Sequence, residues 1–203
     1  MIVYGASGHG KVIIEILESM HIPHIEIWDD ADREAVWEYA VKKPLPNGTA
    51  VNDKMIISIG VNATRKKVAE RLKDSVSFGT ATHASTCISK RAKIGEGTVV
   101  MAGVAVNADT RVGKHCILNT NASIDHDCVL GDYVHISPNA TLSGDVHVGE
   151  GTHIGSGASV IQGIRIGKWC NIGAGAVIIK DVPDHVTAVG NPARIIKVKE
   201  PEK

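Results

Sequence analysis

The residues best suited to chemistry in this 203-residue chain are concentrated between Asn119 and His135. His126 stands beside Asp127, and His135 follows shortly after. A carboxylate that accepts from one imidazole nitrogen leaves the other as a proton acceptor and raises its basicity. This pairing therefore marks His126 as a candidate proton acceptor. Cys128, two residues after His126, offers a thiol. Its place in the repeat described below turns it inward, so it is expected to be a core residue.

A second candidate is Gly5-Ala-Ser-Gly-His-Gly10. It follows the apolar run 2–4 and precedes a stretch in which Val12, Ile13, Ile16, Leu17 and Met20 recur at helical spacing. Strand, glycine turn and helix can hold phosphates, because glycines let the backbone approach and helix N–H groups point at the anion. The same pattern also describes a plain strand-to-helix turn. A P-loop is disfavoured, since Val12 stands where a hydroxyl should hold magnesium. The dinucleotide fingerprint is absent as well, because the spacing is G-x-x-G-x-G. A second strand, 24–28, ends in Asp29-Asp30, and acidic side chains there can meet a ribose or a base. A third strand, 55–59, ends at Gly60. A helix is expected over 62–73, with Asn62 as its cap and Arg65 available to a phosphate, while Lys66 and Lys67 lie on a solvated face. Residues 31–48 are charged and then Pro-rich, and predict little. A short strand near 76–78 would complete a small βαβαβ, Rossmann-like unit over 1–80.

From Ile88 to Pro183 the chain divides into sixteen hexads, each opening on Ile, Val or Leu, with no insertion. The fifth residue is always Ala, Thr, Val, Cys or Ile. A fifth residue and the next first residue lie two apart, so on a strand they face the same way. Gly, Asn and Asp crowd the second to fourth places, where corners form. The result is a repeat solenoid of parallel β-strands spanning 81–184, each turn covering the one below. Three hexads per turn, a closure implied by the family resemblance given below, would stack residues eighteen apart. His126 then lies below Gly144, His135 below His153, Asn119 below Ser137 and Gly155, and Ser156 below Ala174. His115, His147 and His153 are expected to face solvent. So thin a core leaves no interior cavity, and any site must lie outside it or between subunits.

Composition closes off other classes. Lys plus Arg equal Asp plus Glu at 22 each, so there is no electrostatic case for nucleic acid or an acidic membrane surface. No apolar run approaches the roughly 20 residues of a membrane span. The opening MIVYGASGHG lacks the basic region and apolar core of a signal peptide. A cytoplasmic protein is expected. Cys116, Cys128 and Cys170 fall at the inward fifth place and predict reduced core residues.

With the motifs YGASGHG, Asp29-Asp30, IGVNATRKK, LNTNASIDHDC, GDYVHISPNATLSG and VGNPARIIK, the chain resembles the hexapeptide-repeat nucleotide-sugar acetyltransferases over nearly its whole length. The likeness is greatest to those acting on UDP-4-amino sugars. The resemblance implies a left-handed β-helix, a homotrimer with sites between subunits, and acetyl-CoA as co-substrate with no metal. It implies His126 as the base removing a proton from the sugar amine, supported by Asp127, where many relatives have Glu. His135 and the Gly144 N–H would hold the thioester carbonyl, Asn119 would sit near the sulfur, and Ser156 and Ala174 would contact the pantetheine arm. Ser7, Gly8, His9, Asp29, Asp30 and Gly60 would hold the nucleotide sugar. Residues 185–203 leave the repeat and end like the family's closing loop near CoA, with Lys180, Arg194 or Lys197 as phosphate partners and a frayed tail over 197–203. Three rivals remain: O-acetylation of a sugar, a zinc enzyme using His126, His135 and His153, and a non-catalytic scaffold.

Overall fold

The computed structural model describes residues 1–46 and 48–198. The tail expected to fray lies outside these residues from position 199 onward.

The N-terminal unit is built on a parallel sheet. Strand β1 (Ile2–Tyr4) leads into helix α1 (Gly8–Ser19), followed by β2 (Glu26–Trp28). A hairpin of β3 (Ala35–Val36) and β4 (Tyr39–Lys42) occupies the stretch where sequence predicted little. Then come β5 (Met55–Ile57) and helix α2 (Asn62–Leu72). The sheet order is β3-β4-β2-β1-β5, so the chain leaves β1 toward one side and later returns to its other side. Ligands bind open sheets at such a reversal, beyond the carboxyl ends of the strands. Here the reversal lies between the loops after β1 and β5. Gly10 lets α1 close onto this turn, because a Cβ there would run into the Gly5 carbonyl. The strand expected near 76–78 is a single bridge, Met55 to Phe78.

The repeat forms a three-sided parallel β-helix. Each residue pairs with the one eighteen later: Ala105 with Ser123, Arg111 with Val129, Ile117 with His135. First and fifth residues such as Ile124, Leu142, Cys128 and Ala140 fill the core, each 0% exposed. The fourth place turns the corners from 97 to 175 with a left-handed backbone, Arg91 and Asp181 at the two ends excepted. Gly takes it at 97, 103, 151, 157, 163 and 175, and Asn, Asp, His, Tyr or Trp elsewhere, with φ between 52° and 74°. Those are the residue types that tolerate this region at least cost. Buried Thr98, Thr110 and Thr152 donate their hydroxyls to the carbonyls of Gly113, Asp125 and Gly167, so these inward polar atoms are satisfied. Burial pushes the thiols of Cys116 and Cys128 up to about 12 and about 11, so both are protonated at neutral pH.

The sixth residue of each hexad points outward and decides what each side does. On one side these residues are Val99, Ile117, His135 and His153; the first two are 1% exposed and pack with α1 residues Ile13, Ile16 and Leu17. Burying such side chains is worth roughly 1.5–3 kcal/mol each. The other two sides present Lys93, Arg111, His147 and Arg165, or Ser123, Thr141 and Ser159. The N-terminal unit therefore docks on the one side with an apolar patch.

Arg65 pins the junction. Its guanidinium donates to the carbonyls of His115 (2.8 Å), Ile59 (2.8 Å), Gly60 (3.2 Å) and Tyr133 (2.9 Å), and to Asn62 Oδ1 (2.8 Å). Asn62 also donates to the Gly151 carbonyl at 3.0 Å. Two expectations are corrected here. Arg65 is buried and fully engaged, not available to a phosphate, and Asn62 ties α2 to the solenoid instead of capping it, since Val61 precedes the helix. Lys66 is half-exposed and not free on its face; it reaches Glu150 at 2.5 Å and lies near the Tyr133 and Trp169 rings.

Candidate active site

His126 occupies the edge opposite the docked side. Its Nδ1 is 2.8 Å from Asp127 Oδ2, which fixes the ring proton there and leaves Nε2 with its lone pair. Asp127 can take this position because it is the left-handed corner residue, with φ of 60°. The bond to Asp127 and the charge of Asp125 raise the His126 pKa above its ordinary value.

Gly144, one turn above, makes room for the ring. A Cβ at position 144 would lie 2.6 Å from His126 Cε1 and 2.8 Å from Nε2. Gly144→Ala is therefore expected to swing the exposed imidazole aside with little strain on the fold. Turnover should fall by about 10²-fold, the cost of a misplaced catalytic group, with an unchanged melting temperature. Calorimetry beside steady-state rates checks this; full activity would mean the ring need not lie on Gly144.

The second group lies on the docked side, across the β-helix from His126. Asn119 Nδ2 is 3.1 Å from His135 Nε2, and its amide is oriented by Oδ1 accepting the Thr120 N–H at 2.8 Å. The His135 ring stacks on His153, centroids 4.7 Å apart, and His153 Nε2 meets Ser137 Oγ at 2.7 Å. Burial, with the charges of His153, Arg65 and His9, lowers His135 to about 3, against an opposing hydrogen bond with the Gly60 backbone. Thus the loop after β5 lies beside His135. His9, in the first turn of α1, is pushed down to about 4 by burial and by Arg65.

Around the sheet reversal, Gly8 and Gly60 have nothing within 4 Å of where a Cβ would project, so a ligand can approach the backbone. The paired aspartates differ. Asp29 accepts the backbone N–H of Ala6 (2.7 Å) and of Ala31 (2.8 Å), tying two loops together. Asp30 accepts the Tyr4 hydroxyl at 2.6 Å, with Arg71 at 3.4 Å, yet remains 60% exposed. Neither Tyr4 nor Arg71 was singled out by the sequence. Ser156 and Ala174 stack on the same edge as Asn119 and Ser137, on later turns, where a Cβ on Gly155 would meet the Ala174 nitrogen.

The histidines expected in solvent divide. His147 is partly exposed, bonded to Asp145 at 3.2 Å. His115 is instead 4% exposed, between Phe78 and Tyr133, and His153 is largely buried against His135. Each sits on an outward position that the N-terminal unit covers.

The buried imidazoles set a pH dependence. His9 and His115 titrate near 4 when folded and near 6.5 when not. The unfolded chain therefore binds more protons below about 6.5, and stability is lost as pH falls from there toward about 4. The melting temperature should decline across that interval; a flat profile would show the imidazoles to be solvated.

Residues 1–72 match the PglD N-terminal domain family, and residues 109–144 and 145–180 each match the bacterial transferase hexapeptide family of six repeats. Among curated proteins no match was found. Among solved structures, the acetyltransferase domain of PglB from Neisseria gonorrhoeae FA1090 superposes with a TM-score of 0.90 at 35% identity, covering 96% of this chain and 98% of that one. The same domain is also known in complex with acetyl coenzyme A. PerB from Caulobacter crescentus, in complex with CoA and GDP-perosamine, gives 0.88 at 38% identity, covering 97% and 96%. WeeI from Acinetobacter baumannii AYE gives 0.88 at 31%, covering 96% and 98%. With both halves matched by family and the whole chain matched by structure, this protein belongs to the hexapeptide-repeat nucleotide-sugar N-acetyltransferases.

Proposed function

We propose that the chain transfers the acetyl group of acetyl-CoA to the 4-amino group of a nucleotide-linked sugar, with His126 Nε2 taking the amine proton. The observation that carries this reading is the Asp127-bound, exposed imidazole beside Gly144. The Gly144 N–H makes no hydrogen bond among the described residues, so it can receive the developing oxyanion. A neutral amine and a thioester need positioning and proton removal only. Cys128, buried and protonated, has no part in it.

In this reading residues 1–80 bind the nucleotide sugar through Ser7, Gly8, His9, Asp30 and Gly60, with Asp29 holding the loop. Residues 81–184 carry the acyl transfer, with Asn119, His135, Ser156 and Ala174 along the CoA path, and 185–203 close its far end. Since His126 and His135 lie on opposite sides of one β-helix, both act in one site only if a second copy is present, which supports a homotrimer. Four free thiols accord with a cytoplasmic setting, and no helix among the described residues is long and apolar enough to cross a membrane.

The test is thiol release from acetyl-CoA against UDP-, GDP- and dTDP-linked 4-amino sugars and their hydroxyl counterparts. Release with one amino sugar and not its hydroxyl analogue is the expected result. Release only with hydroxyl acceptors would make it an O-acetyltransferase, and loss of acetyl-CoA binding altogether would favour a scaffold.

A further inference from the structure

His126 is held from a second direction. Its backbone N–H donates to Asp125 Oδ1 at 2.8 Å, and the same oxygen accepts from Asn107 Nδ2, also at 2.8 Å. Asn107 lies one turn below, eighteen residues earlier, directly under Asp125. Among the sixteen hexads, Asp125 is the only acidic residue in the second place; the others there are Gly, Ser, Asn, Met or Ile. A corner needs no carboxylate at that point, yet one stands next to the base.

We propose that Asn107 and Asp125 form a brace that positions His126 and keeps a second negative charge against its ring. The proposal rests on the role of His126 as base. Asp125 is a positioning residue: it binds the main chain of His126, not its imidazole, and acts on the ring by charge. Asn107 acts through Asp125, fixing the carboxylate and holding it ionised; its bond and the His126 N–H both lower the Asp125 pKa. The other charged groups facing the ring are Asp127, bonded to it, and Asp145 on the turn above, with Asp109 stacked beneath Asp127. All are carboxylates. When His126 takes a proton from substrate, the imidazolium forms at an exposed edge where water screens each charge. Holding Asp125 at a fixed place keeps its share of that stabilisation without reorganisation.

The readout is the titration of His126 itself, followed by NMR on the full chain with histidine labelled at Cε1. Its signal is assigned by its disappearance in His126→Ala. Asp125→Asn keeps an oxygen for both hydrogen bonds and removes only the charge. Its His126 midpoint should move to lower pH, and the acid limb of kcat/KM should move with it. Asn107→Ala should lower kcat about tenfold through a loosened base, with KM for acetyl-CoA unchanged. An unmoved midpoint in Asp125→Asn overturns the brace, whatever happens to its melting temperature, because a merely structural corner would lose stability alone. If Asp125→Asn does not fold, Asp125→Ser carries the same comparison. The titration needs no substrate, so a shifted midpoint in a protein that releases no thiol upholds the brace while rejecting the acetyl transfer.

Discussion

Replacing His126 with alanine is expected to lower turnover by roughly 10²–10⁴, the usual worth of a general base. Acetyl-CoA should still bind, because no other residue on the proposed CoA path leans on the imidazole. The side chain is exposed and contributes no core packing, so the melting temperature should not change. The loss would therefore be chemical, and it should appear in kcat at saturating concentrations of both substrates. The pH profile offers a second handle. Since Asp127 and Asp125 raise the His126 pKa, its acid limb should lie above the ordinary histidine value in the wild type, and it should vanish with the imidazole. Near-normal turnover in the variant would remove His126 from the mechanism.

The second large effect concerns Arg65. Its charge is buried without a carboxylate partner, and burial lowers its pKa to about 10. It is tolerated because every bond it makes goes to an oxygen already fixed by the fold. Arg65→Met keeps much of the volume and strips four carbonyls and Asn62 of their donor. Unsatisfied buried acceptors cost about 1–3 kcal/mol each before relaxation, so a net loss of roughly 3–5 kcal/mol is expected. Because the bonds link α2 and β5 to the His115 and Tyr133 corners, the N-terminal unit should separate from the β-helix first. Calorimetry should show a new early transition, and proteolysis should cut within the first eighty or so residues while the repeat survives. A single transition at the wild-type temperature would show the guanidinium to be dispensable. Arg65→Lys should not rescue, since one ammonium cannot span the same set of oxygens.

The β-helix was legible because its geometry demands a residue type at fixed intervals. Inward first and fifth places and a left-handed fourth place leave marks such as Ile124, Cys128 and Asp127 that no other fold would repeat so long. The His126–Asp127 pair was legible for the same reason, because its adjacency is local. What stayed hidden depends on which side of the prism is covered. Val99 and Ile117 mark that side, but only when the sixth places are compared eighteen apart, and without that comparison His115 and His153 look solvated. Arg65 was harder still. It sits in a run of charged residues, and the backbone carbonyls that hold it carry no signature in the sequence. Asn62 likewise resembled a helix cap, and its actual partner, the Gly151 carbonyl, lies in another part of the chain.

The separation of His126 from the His135 side has a genetic consequence. If each site takes its base from one chain and its Asn119–His135 pair from the next, two inactive alleles can complement each other. Co-expressed His126→Ala and His135→Ala chains, mixing at random in a closed ring, would assemble about a quarter of their sites from intact contributors. Either variant alone would have none.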